Sequence, residues 1–106
     1  MESQPDPNKP VQLVNSWDEI VEIDVRVIRE ATNETVYKGS HTVGPGTDPT
    51  VYNLVKADPD GIEAFTTVVT VRNETRRVTI ETNECYAGVR AGVSDSGKAF
   101  ASYDIC

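Results

Sequence analysis

Val21, Ile23, Val25 and Val27 alternate with Glu22, Asp24 and Arg26, the two-residue period of a strand with one face in a core and the other in water. Polar, turn-prone Ala31-Thr32-Asn33-Glu34-Thr35 follows, and Val36-Tyr37-Lys38 then resumes an extended pattern, so the two runs predict a hairpin. A second hairpin is written further along. Phe65, Thr67, Val69 and Val71 alternate with Thr66, Val68, Thr70 and Arg72; Asn73-Glu74-Thr75 supplies a tip; Val78 and Ile80 alternate with Thr79 and Glu81. The runs Tyr86 to Val93 and Lys98 to Ile105, around Ser94-Asp95-Ser96-Gly97, predict a third.

Between the hairpins, Gly44-Pro45-Gly46 interrupts the chain and Val51 to Val55 reads as a further strand. Asp48 followed by Pro49 also resembles a helix cap with proline in the first turn, but the β-branched content favours the strand. Asp58-Pro59-Asp60-Gly61 has proline and glycine where a type I turn wants them. Seven or eight short strands at such spacings predict an all-β fold, an immunoglobulin-like antiparallel β-sandwich, with a closed barrel as the alternative. Residues 1–10 are polar and hold Pro5, Pro7 and Pro10, which suits a flexible tether ahead of a sandwich domain at 11–106.

Composition narrows the class of function. Acidic residues number 17 against 10 basic ones, a formal charge of −7; such a surface repels phosphate backbones, so nucleic acid is not an expected partner. The same acidity suits a protein at high salt, where like charges are screened, and equally an ordinary soluble domain. No stretch approaches the roughly 20 apolar residues that span a bilayer, and residues 1–10 lack a signal-peptide core.

Cys85 and Cys106 sit at the outer ends of the third hairpin. If Asp95 and Ser96 form a two-residue loop, Ser94 faces Gly97 and the same register sets Cys85 opposite Cys106, within reach of a disulfide; a longer loop with Gly97 as a bulge shifts this by one or two residues. A bridge there closes about 20 residues and adds about 3 kcal/mol to a small core. It also points to an oxidising compartment.

Other constellations are weaker. Asn33-Glu34-Thr35 and Asn73-Glu74-Thr75 are both glycosylation acceptor patterns at predicted tips, although asparagine suits such turns on conformational grounds alone. Asp58, Asp60 and Glu63, with Gly61, resemble a fragment of a calcium loop, yet the remaining ligands are missing and an ordinary turn accounts for them better. His41, the only histidine, has no evident catalytic partner in sequence, and neither a zinc nor a copper ligand set is present. Phe100 is out of phase with Ala101, Tyr103 and Ile105, so one of these two faces is expected to be partly exposed as a contact patch.

The strand run, the paired Asn-Glu-Thr tips and the terminal hairpin from Cys85-Tyr86 through Gly97 to Cys106 resemble the small secreted surface lipoproteins of haloarchaea. That resemblance implies an immunoglobulin-like sandwich on a polar tether, anchored through a lipid-modified cysteine in an N-terminal region that has been removed here, where Met1 stands. The expected function is that of a non-enzymatic, monomeric cell-surface or secreted domain, structural or binding a protein or glycan, with no cofactor. The alternatives are a small-ligand or calcium-binding module and an accessory domain of a larger secreted protein.

Overall fold

The computed structural model describes residues 4–105. Eight strands form in chain order: β1 (Pro10–Asn15), β2 (Val21–Arg29), β3 (Glu34–Val43), β4 (Thr50–Asn53), β5 (Ala64–Val71), β6 (Glu74–Glu81), β7 (Tyr86–Val93) and β8 (Ala99–Ile105). They divide into two four-stranded sheets, ordered β4-β1-β7-β8 and β3-β2-β5-β6, which pack as the expected sandwich. All three predicted hairpins are present, β2–β3, β5–β6 and β7–β8.

The alternation of β2 is realised residue for residue. Val21, Ile23, Val25 and Val27 are buried, whereas Glu22, Asp24 and Arg26 are exposed. They meet Leu13, Val89, Ala91 and Val93 of the facing sheet, with Phe65, Val69 and Ile80 filling the space between. Burying a side chain of this kind contributes roughly 1.5–3 kcal/mol, so β2 is a principal source of stability.

The predicted strand over 51–55 is shorter than expected. It ends at Asn53, whose side-chain oxygen accepts from Val55 N and starts the one-turn 3-10 helix Leu54–Ala57. The cap is therefore Asn53, not Asp48, the position that sequence suggested. The second hairpin turns one residue early, on Arg72 and Asn73, both with positive φ (51° and 67°), the backbone of a type I′ turn. Arg72 is an unusual residue for that position, and its guanidinium finds compensation across the sandwich: it lies 4.3 Å from the Trp17 ring and donates to Gly97 O at 2.9 Å.

One pairing departs from the antiparallel expectation. β1 runs parallel to β7, Val11 opposite Val89 through Asn15 opposite Val93, which is open to two strands separated by most of the chain. The approach is close: a Cβ on Gly92 (φ 153°) would stand 1.9 Å from Val14 O, and one on Gly88 (φ 135°) 2.7 Å from Pro10 O. Only glycine fits at either place. At the end of β1, Asn15 is buried and fully used, donating to Glu19 O and Val43 O and accepting from Trp17 N.

The segment expected to be a free tether is instead docked from Gln4 onward. Asp6 N donates to Thr82 O, Glu84 N to Gln4 O and Leu54 N to Lys9 O, and β1 already includes Pro10. Lys9 is 1% exposed; its stem is packed and its ammonium group pairs with Asp6 at 3.3 Å. Single bonds between the prolines fasten the segment.

Gly92→Ala should cost about 3 kcal/mol or more, or prevent folding, because the added methyl group meets backbone rather than a movable side chain. Gly44→Ala, where nothing lies within 4 Å of the new atom, should unfold close to the wild type in the same urea titration.

Candidate functional site

A groove of about 710 Å³ lies on the outer face of the β3-β2-β5-β6 sheet, a size suited to a small or oligomeric ligand. Register explains its lining. Arg26 is opposite Lys38 on one side and Val68 on the other, and Val68 is opposite Arg77, so Lys38, Arg26, Val68 and Arg77 form one row across four strands. The adjacent row is Ser40, Asp24, Thr70 and Thr75 by the same pairings. Ser40 Oγ donates to Asp24 Oδ1, and the Thr70 and Thr75 hydroxyls are 3.0 Å apart.

The candidates named from sequence fall elsewhere and apart from one another. Asn33 and Asn73 are exposed at the tips of β2–β3 and β5–β6, both with positive φ (59° and 67°). Because β2 and β5 are antiparallel, these tips lie at opposite ends of one sheet, with the groove between them. Asp58, Asp60 and Glu63 do not converge: Glu63 accepts from Asp60 N at 2.6 Å and pairs with Arg29 Nε at 3.4 Å. Arg29 also donates to Ala57 O and lies over Phe65, so a guanidinium already sits beside the carboxylate that a cation would need. No group of three or more metal-ligating side chains is assembled among the described residues.

Alternation places His41 on the inner face of β3, opposite Ile23, and Ser40 on the outer face, opposite Asp24, so these sequence neighbours cannot act as base and nucleophile on one substrate. His41 Nε2 is hydrogen-bonded to the Tyr37 hydroxyl at 2.7 Å. Tyr37 in turn stacks on Tyr52, ring centroids 4.7 Å apart, which joins the two sheets at the β3/β4 side. At the opposite side, Tyr103 and Ile105 of β8 are 41% and 57% exposed while Phe100 is half-buried; Ala99 and Ala101 on the Tyr103 face pack on the core, so that face is open only toward the end of β8, where Tyr86 packs against Tyr103 at 5.3 Å.

Cys106 lies outside the described residues. Cys85 is half-buried and its N–H donates to Asn83 Oδ1 at 2.9 Å. The third hairpin turns on a loop longer than two residues, with Ser94 N donating to Lys98 O and Gly97 N to Ser94 O; the ladder is accordingly offset by one, Val93 facing Ala99. An irregularity between Tyr86 and Gly88 removes that offset, and Tyr86 faces Ile105.

Sequence reading missed Lys38, Arg26 and Arg77 as a group. Each lies on a polar face of a predicted hairpin, and the hairpin registers could have paired Arg26 with Lys38. That β2 neighbours β5, which completes the row, depends on a long-range pairing that no local pattern carries. No protein-family model, curated protein or solved structure matches this chain. Fold and site together define an all-β, two-sheet sandwich with an open groove, basic along one row, on one outer face.

Burial pushes the Tyr52 phenol above its ordinary 10.0, against an opposing pull from Arg29. As pH rises past 10 the unfolded chain therefore releases this proton first, and the contribution of the neutral phenol to stability is lost upward from there. Above pH 10 the wild type should lose stability more steeply with rising pH than Tyr52→Phe in parallel denaturation curves; equal slopes would remove the buried phenol as a source of alkaline sensitivity.

Proposed function

We propose that this chain is a non-enzymatic recognition domain displayed outside the cell, which binds a protein or glycan of the envelope through the outer face of the β3-β2-β5-β6 sheet. The observation that carries this reading is the groove: a concavity on an otherwise open sheet face, lined by side chains that present charges and hydroxyls rather than a nucleophile and its base. A rigid sheet holds such groups in fixed register without a loop that must order on binding.

The extracytoplasmic address rests on the cysteines. Tyr86 and Ile105, the sequence neighbours of the two cysteines, face each other, which supports a disulfide between Cys85 and Cys106. Glycosylation at Asn33 and Asn73, a lipid anchor ahead of the docked segment, kinship with haloarchaeal surface lipoproteins, a halophilic setting and a monomeric state belong to the same reading. The acidic surface supports the salt-adapted part of it.

Amide spectra recorded during titration with envelope oligosaccharides and peptides should show shifts gathered at Asp24, Arg26, Thr70 and Thr75. Calcium should leave Asp58 and Asp60 unmoved; localised shifts there, with none in the groove, would replace this reading by that of a cation-binding module. In the native, unreduced protein neither thiol should react with Ellman's reagent, and reduction should lower stability by about 3 kcal/mol. Two reactive thiols would remove the address while leaving the groove to be judged by its own titration.

A further inference from the structure

Resting on the reading of the outer sheet face as a recognition surface, we infer that the row Lys38, Arg26 and Arg77 binds an acidic polysaccharide, a chain of sugars that carries carboxylate or sulfate groups.

The charge distribution points there first. In a chain of net charge −7, Lys9, Arg29 and Arg76 pair with carboxylates and Arg72 covers Trp17. Three of the other cations stand together in this one row. Among the described residues none of the three makes an ion pair, and all three are exposed. Arg26 and Lys38 occupy directly opposed positions, about 5 Å apart across neighbouring strands. Like charges so placed repel, and an anion above them turns that repulsion into attraction. Arg77 lies two strands from Arg26, about 10 Å away, with Val68 as an apolar floor between them.

The neighbouring row decides the class of anion. Ser40, Thr70 and Thr75 bring hydroxyls, and Asp24 brings a carboxylate that accepts hydrogen bonds but repels negative charge. A ligand lying across both rows must offer acid groups on one side and hydroxyl donors on the other, as an acidic sugar chain does. The lining includes no aromatic ring, so nucleic-acid bases find no stacking platform. An extended peptide would instead seek the unpaired backbone of an edge strand, β3 or β6, rather than side chains spread across the sheet.

Calorimetry and amide spectra at about 50 mM salt, where the screening length exceeds 10 Å, test this with three probes: tetragalacturonate, maltotetraose and hexaglutamate. Tetragalacturonate should bind, shift the amides of Arg26, Lys38 and Arg77, and weaken as salt is raised. Arg26→Gln/Arg77→Gln should reduce its affinity on the order of tenfold, given charge-assisted contacts at both guanidinium groups, whereas Lys98→Gln in the β7–β8 loop should leave it unchanged. If the double variant does not fold, the affinity of Lys38→Gln and the salt dependence of the wild type test the same contacts, and no change in either would overturn the assignment. Maltotetraose binding in the groove as tightly as tetragalacturonate would overturn the acidic assignment and leave the recognition surface standing. Hexaglutamate bound more tightly at the same amides would overturn it in favour of an acidic peptide, and absence of tetragalacturonate binding would overturn it outright.

Discussion

The approach of the Val14 carbonyl to the α-carbon of Gly92 sets the architecture of one entire sheet. Because nothing projects from Gly88 or Gly92 on that side, β1 can lie parallel to β7 at ladder distance and insert between β4 and β7. That insertion makes the terminal hairpin part of the core sheet rather than an appended ribbon. It also places Val11 and Leu13 in the core that the two sheets share.

The second sheet is then free to have two characters. Its inner face is mainly valine, phenylalanine and isoleucine on β2 and β5, joined by buried Thr67 and, on β3, by Tyr37 and His41, and its outer face carries charges and threonines. Central β5 reads nearly buried on both sides, Thr66 and Val68 included, because the long outer side chains of its neighbours lean over it. The threonine hydroxyls there pair across the strands, Thr66 with Thr79 at 2.7 Å and Thr70 with Thr75 at 3.0 Å. A polar face thereby stays ordered without competing for the core.

Much of this was legible in the residues. The alternation from Val21 to Val27 names both the strand and its buried side, since a strand with one wet face has a single way to present that pattern, and the Asn-Glu-Thr tips marked two of the three hairpin ends. Three things were not legible. The parallel β1–β7 pair joins segments that lie far apart in sequence, and the two glycines that permit it look in sequence like ordinary turn or bulge residues. The docking of residues 4–9 depends on a buried Lys9, a residue type that composition rules place in water. The basic row depends on the β2–β5 pairing, so its three cations are scattered over three segments until the chain has folded.

The docked N-terminal segment has a geometric outcome of its own. Gln4 is bonded to Glu84, two residues before the start of β7, and Ile105 at the end of β8 faces Tyr86, so the path into the sandwich and the path out of it share one pole. A host protein could therefore splice this unit into a surface loop and span only a short gap between the two junctions.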